Sequence, residues 1–200
     1  QATCRVGCSM SWILTRSGLK FDLANPTAAM VDPTDIAHSL SMQCRFNGHT
    51  RDFYSVAEHC CLVADLVPAE HQLAALLHDA TEAYVGDLVR PLKEDMRDCA
   101  RYEGVTCMYD VTEERVWQAI CQRFDLDPIL PDCVKHADLV ALATEKRDLL
   151  ASHPEPWPCL NGITPASTTV HAWTPGAAAI HYHARLLQLL GTTHRRRASA

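Results

Sequence analysis

The residues best equipped for chemistry lie close together in the stretch Leu76–Lys93, which reads LLHDATEAYVGDLVRPLK. At its centre is the adjacent pair His78-Asp79, preceded by the apolar run Leu73–Leu77, which reads as a buried helix. An unpaired carboxylate is costly in such surroundings, so it calls for a partner or a metal ion. Imidazole and carboxylate together suit a first-row divalent ion. Glu82 follows four residues after His78 and three after Asp79, so helical spacing puts all three on one face. A lone His-Asp pair is more often an ordinary surface pair, so the metal reading depends on ligands elsewhere. His59, on a segment upstream, and Asp138, on one downstream, supply them.

Each candidate has an element to hold it. Ser55 and Glu58 have the spacing of a capping box, which starts the helix carrying His59 and is closed by Pro68. Ala69 onward builds the helix with His78 and Asp79 in its middle. Gly86 stops that helix, Pro91 keeps it stopped, and Gly86–Lys93 follows as a loop. Pro131–Leu150 reads as a long helix with Asp138 and Glu145 two turns apart on one face. Glu145 either supports the site from behind or is an ordinary surface glutamate.

The remaining segments read as a scaffold. Trp12–Asn25 is a short extended segment or hairpin. Asp32 and Pro33 open a helix with Ile36 and Leu40 on its apolar side, broken at Gly48, and His38 on it is a reserve ligand. Asp95–Asp110 fits no clean helical period. Thr112 caps a helix with Val116, Ala119, Ile120 and Phe124 on one face. Residues 153–171 carry four prolines and must cross irregularly, after which Thr174-Pro175 opens a last helix that Gly191 ends. The fold class is all-α.

Composition bounds the function. Two hundred residues with 48% hydrophobic and 21% charged content fit one globular domain. The net charge of −6 argues against a general nucleic-acid binder, which needs a basic surface. Ten cysteines without a CxxC pair read as free thiols of a reducing cytosol. No apolar run reaches membrane-spanning length, and Gln1–Ser9 lacks the pattern of a signal peptide, so it is expected to be an N-terminal extension. Residues 192–200, with Arg195–Arg197, are expected to form a disordered basic tail.

A His, then a His-Asp pair, then a distant Asp, each on its own helix, resembles the HD phosphohydrolase superfamily. HDATEAYVGDLVRPLK is similar to the signature of its bacterial 5′-deoxynucleotidases and of related phage enzymes that remove triphosphate from dATP. The stretches MSWILTRSGLKFDLANP, DIAHSLSMQCRFNGHTRDFYSVAEH and ADLVALATEKRDLL resemble a bacterial and phage subgroup of the same proteins, so the likeness runs from about Met10 to Leu190.

The resemblance implies a single HD-domain helical bundle over residues 10–191 with a short irregular N-terminal segment. It implies a divalent ion (manganese, cobalt, zinc, iron or magnesium) on His59, His78, Asp79 and Asp138. Glu82 and Asp87 become the catalytic carboxylates. Arg45 becomes a phosphate ligand, and Phe46, where characterised members usually carry Trp, packs against the sugar. Lys93 and Lys135 neutralise phosphate charge. The expected activity is hydrolysis of the phosphate ester of a deoxynucleotide, mono- or triphosphate, by a cytoplasmic homo-oligomer with no nucleic-acid or membrane partner. Two alternatives stand beside it. One is a hydrolase of cyclic or alarmone signalling nucleotides, although the extra histidines of such enzymes are missing from Tyr84–Thr106. The other is a non-catalytic helical module stabilised by metal, which would have no need of a free Glu82.

Overall fold

The structure, a computed structural model, describes residues 11–198, with side chains to residue 193. The expected N-terminal extension, with Cys4 and Cys8, lies outside the described residues. The chain enters through an antiparallel hairpin, β1 (Trp12–Leu14) and β2 (Lys20–Asp22), with Ile13 opposite Phe21. Phe21 turns into the core and stacks on Tyr84 at 3.7 Å between ring centroids. Asp32 then starts α1 (Pro33–Met42), its carboxylate accepting from the Thr34 amide at 2.8 Å. Pro33 takes the first position, where its missing N–H costs nothing.

α1 ends earlier than the glycine suggests. The chain becomes extended at Gln43, forms a bridge from Cys44 to Ser55, and makes a 3-10 turn at Arg45–Gly48. Inside that turn Phe46 and Asn47 are left-handed, with φ of 55° and 50°. The Gln43 side chain fixes the departure. It donates to the Glu82 carbonyl at 2.9 Å and accepts from the Asp87 amide at 3.0 Å, tying the end of α1 to the segment that carries the catalytic candidates.

α2 (Val56–Asp65) opens with the expected capping box, the Glu58 amide donating to Ser55 Oγ at 3.2 Å and the Ser55 amide to Glu58 Oε1 at 3.1 Å. The second oxygen of Glu58 accepts from the Trp173 amide at 2.6 Å, so the same cap also anchors the lead-in to the last helix.

The apolar run before His78 is a buried helix as expected, α3 (Gln72–Leu77), but it stops at the His-Asp pair instead of running through it. A second short helix, α4 (Glu82–Val85), follows. The joint keeps helical backbone angles but tightens to i→i+3 bonds, Ala80 to Leu77 at 2.9 Å and Glu82 to Asp79 at 3.0 Å. Such a turn eclipses side chains three apart, so Glu82 still sits over Asp79. The Leu76 carbonyl, at the end of α3, is taken by the buried hydroxyl of Tyr182 at 3.0 Å.

Gly86, at φ 84°, ends α4 as expected. Pro91 does not prolong a loop. It lies in the first turn of α5 (Arg90–Tyr102), so Lys93 is helical and the stretch without a clean period contains a regular helix. None of α5's residues is buried, and its sequence therefore carries no core stripe to read. α6 (Met108–Phe124) begins four residues before Thr112, whose hydroxyl donates back to the Met108 carbonyl. Val116, Ala119, Ile120 and Phe124 are buried on it as expected. α7 (Asp132–Leu149) matches the long helix within a residue at each end.

The proline-rich crossing holds only a 3-10 turn at Pro158–Leu160. α8 (Pro175–Ala198) then runs past Gly191, which does not end it. One glycine costs about 1 kcal/mol in a helix, too little to break a long one. The backbone of Arg195–Arg197 is therefore helical, and their side chains lie outside what is described. α8 packs on α1, α2 and α3, and α7 packs on α2. The shared core includes Ile36, Leu40, Val56, Leu76, Ile120 and Leu186. The result is the expected all-helical bundle with a minor hairpin. No described helix is long and apolar enough to cross a membrane. Among the described residues every cysteine is a free thiol.

Candidate metal site and cleft

The helices bring the scattered ligand candidates together. His59 comes from the first turn of α2, His78 and Asp79 from the α3–α4 joint, and Asp138 from the middle of α7. His59, His78 and Asp138 have ligand atoms within 4.8 Å of one another. Asp79 reaches both imidazoles, with Oδ2 at 3.5 Å from His59 Nε2 and 3.3 Å from His78 Nε2. Asp138 Oδ1 lies 3.2 Å from His59 Nε2 and 4.0 Å from His78 Nε2. His38, the reserve ligand, is elsewhere: on α1, bonded to Arg16 of the hairpin turn.

The tautomers test whether a cation fits. His59 Nδ1 faces Glu145 Oε1 at 2.6 Å, and His78 Nδ1 faces the Ala75 carbonyl at 2.7 Å. Both Nδ1 atoms therefore donate, which leaves the Nε2 atoms to bind an ion that displaces their protons. Each Nε2 is buried and, among the described residues, has no hydrogen-bond partner. Two orphaned nitrogens aimed at two carboxylates are what a divalent ion would satisfy, so the donor set fits one.

The electrostatics point the same way. Burial pushes the His78 imidazole down, but Asp79 and Asp138 outweigh it and hold the ring up at about 9. Burial and Arg45 likewise push His59 down, and Glu145 and Asp138 raise it above the ordinary value. Burial would raise Asp79, but His78, His59 and Arg45 outweigh it and hold the carboxyl well below the usual range. A cluster that retains protons this firmly is one that attracts positive charge.

Glu145 is not a surface residue. It is fully buried, and it joins His59 to Arg45 (Nη2 to Oε2, 3.2 Å) and to the Tyr54 hydroxyl at 3.0 Å. Arg45 also approaches Asp79, at 3.7 Å. Tyr54 could not be singled out in advance, because one tyrosine in a loop carries no spacing signal. Cys60 likewise carries no motif that marks it in the sequence. It is a fully buried thiol whose sulfur lies within 4.8 Å of ligand atoms of His78 and Asp79, and burial pushes it far above the ordinary thiol value.

Glu82 is buried beside the cluster. Its Oε1 pairs with Lys93 at 3.5 Å, while Oε2 has no hydrogen-bond partner among the described residues. Burial raises its carboxyl well above the ordinary value, and the charges of Asp79 and Asp87 add to that. Lys93 is held on its other side by Glu113 at 3.2 Å. Lys135 is not brought in. Its ammonium pairs with Asp132 at 3.2 Å and is 61% exposed, because the long side chain leans back toward the start of α7 and away from the cluster.

A cleft of about 670 Å³ opens over the cluster. Asp79, Asp138, Arg45, Asp87 and Lys93 line one part, and Phe46, Leu142, Trp157 and Cys159 line another. This volume lies within the range of small-molecule sites.

The fold and site define a helical-bundle protein with a buried histidine–aspartate cluster that could hold a metal ion. No family model matches the chain. It is 44% identical to the uncharacterized protein YfdR of Escherichia coli over 156 residues, covering 77% of this chain and 81% of that protein. It is 38% identical to an uncharacterized protein of Rhodobacter capsulatus over 136 residues, 64% of this chain and 65% of the relative. The chain belongs to the same family as YfdR.

Proposed function

We propose that this protein is a metal-dependent HD-type phosphohydrolase that cleaves the phosphate ester of a deoxynucleotide. The observation that carries this reading is the pair of buried imidazoles whose free Nε2 atoms face Asp79 and Asp138 at the floor of a cleft also lined by Arg45 and Lys93. His59, His78, Asp79 and Asp138 would hold the ion. A bound divalent ion supplies a water of lowered pKa and polarises a phosphate oxygen.

The chain's own residues supply the rest. Arg45 and Lys93 neutralise charge on the phosphate oxygens. Glu82 Oε2 lacks a partner, so it is free to orient the attacking water or take its proton. Asp87, whose carboxyl is raised by burial, lines the same cleft and is the second candidate for proton transfer. Water adds to phosphorus, the bond from phosphorus to the 5′ oxygen breaks, and that oxygen leaves carrying a proton. The products are the deoxynucleoside and either phosphate or triphosphate. The cytoplasmic setting and the homo-oligomer belong to the same proposal.

A structural metal module would explain the imidazoles but not a buried carboxylate oxygen left unpaired beside them. The test is direct. Purified protein with manganese or cobalt is incubated with the deoxynucleoside mono- and triphosphates, the ribonucleotides and a set of cyclic nucleotides, and the products are separated by chromatography. Metal-dependent release of deoxynucleoside supports the reading. Cleavage of cyclic nucleotides alone, or none with metal bound, refutes it.

A further inference from the structure

The proline-rich crossing contributes a residue that neither the fold nor the metal cluster explains. Trp157 begins its 3-10 turn and lines the cleft together with Phe46 and Leu142. It is only half-buried, so the core does not account for it. The Lys146 ammonium stands 4.7 Å from its ring centroid, and Lys146 lines a different hollow, with Arg51 and His153, and not the cleft. The ring is thus held by a cation that does not itself line the cleft.

Phe46 also lines the cleft, with its ring centroid 6.5 Å from that of Trp157 and the planes tilted by 45°. That separation is at the wide end of ring contact, so the two rings are neighbours without being stacked. Phe46 is held at φ 55°, a conformation costly for a bulky residue and maintained only where the surroundings enforce it. The Arg45 guanidinium lies 5.2 Å from its ring centroid, coupling this wall to the cluster.

α7 sets the distance between the two ends. Asp138 lies at the cluster, Leu142 one turn on lines the cleft, and Lys146 a further turn on supports Trp157. At 1.5 Å per residue those eight positions span about 12 Å, a length suited to a phosphate at one end and a planar ring at the other.

We infer that Trp157 is the platform on which the base of the nucleotide stacks, with Phe46 closing over it. This rests on the nucleotide reading above and adds the part of the ligand that reading leaves without a partner. The ligand class is a nucleoside phosphate with any planar base. Stacking on a π face tolerates all bases, and the ring offers no hydrogen-bond pattern to choose among them.

Two measurements test it. The first compares wild type, Trp157→Ala and Trp157→Phe on the four deoxynucleoside monophosphates and on deoxyribose 5-phosphate, which has no base. Trp157→Ala should raise KM for the base-bearing substrates about 5- to 150-fold, the range for loss of one base–aromatic stack. KM for deoxyribose 5-phosphate should not move, and Trp157→Phe should restore most of the loss. An equal rise for deoxyribose 5-phosphate, or no rise at all, overturns the platform. The second measurement is equilibrium binding of deoxyadenosine to metal-free protein, read by tryptophan fluorescence. Wild type should be quenched, and Trp157→Phe should lose that part of the quenching. Quenching that is absent in wild type, or unchanged in the variant, also overturns it. If wild type turns over no nucleotide yet this quenching is seen, hydrolysis fails and the platform stands.

Discussion

Glu145 Oε1 lies 2.6 Å from His59 Nδ1, and both side chains are fully buried. A carboxylate on Nδ1 makes that nitrogen the donor and turns Nε2 toward the cluster. The same glutamate holds Arg45, so one residue orients a candidate metal ligand and a candidate phosphate ligand together.

Glu145→Gln should therefore lower metal affinity without removing any ligand. The expected loss is about 10- to 100-fold, the usual effect of replacing a group that orients a metal-binding histidine. Calorimetric titration with manganese or cobalt measures it. Wild-type affinity in this variant would show that Glu145 serves only the fold.

Asp79→Asn should abolish metal binding. Asp79 Oδ2 lies within 3.5 Å of the Nε2 atoms of both imidazoles, and an amide supplies no charge to hold the ion. Metal at about 100 times its Kd adds roughly 2.7 kcal/mol of stability, which for a domain of this size raises Tm by about 5–11 °C. The variant should show little of that rise in a thermal melt. A full metal-dependent rise would remove Asp79 from the ligand set.

A pH dependence is expected away from the site. Asp148, at the end of α7, pairs with Arg147 and accepts from the Val170 amide at 2.9 Å, which fastens the crossing segment to the helix. The bond to Arg147 and, more weakly, the Val170 amide outweigh desolvation and lower its carboxyl below the ordinary value. A depressed acid contributes stability that is fully present above its unfolded pKa, near 3.9, and is lost as pH falls through the folded value. Asp148→Asn should cost about 1 kcal/mol at pH 7. The Tm gap to wild type should close as pH falls from that unfolded value through the lower folded one. A gap that stays constant across that range would mean the charge contributes nothing.

The sequence made some of this legible and hid the rest for identifiable reasons. Local chemistry was readable where it is local. Asp32 and Ser55 cap the helices they appear to cap, and α7 spans the range its pattern implies. The break at the His-Asp pair was not, because Leu73–Glu82 contains neither glycine nor proline. That joint is set by tertiary bonds such as the one from Tyr182 to Leu76, over a hundred positions apart. α5 was unreadable because it buries nothing, so it has no periodic stripe. Lys135 shares a face with Asp138 by spacing, but spacing does not say that its long side chain runs back to Asp132 and into solvent. Glu145 lay on the correct face, but a glutamate alone does not reveal that it is buried. Trp157 lies in a proline-rich stretch where no periodicity exists to place it.

Glu82→Ala separates an enzyme from a metal-stabilised scaffold. Glu82 sits over Asp79 across the α3–α4 joint, yet His59, His78, Asp79 and Asp138 already furnish the donor set. Its Oε2 is buried and unpartnered among the described residues, and its other oxygen meets only Lys93 among the ion pairs. Lys93 keeps Glu113 when Glu82 is gone, so the local ion pairing survives the substitution. The variant should fold and bind metal like wild type. If Glu82 orients or deprotonates the attacking water, turnover should fall about 10²–10⁴-fold. Nucleotide binding should persist through Arg45 and Lys93, which makes the variant a trap for uncleaved substrate. Metal content by elemental analysis and turnover by product chromatography are measured on the same preparation. Loss of the ion would make Glu82 a ligand, and unchanged turnover would make it a bystander. Either result would remove Glu82 from the proton transfer proposed for it.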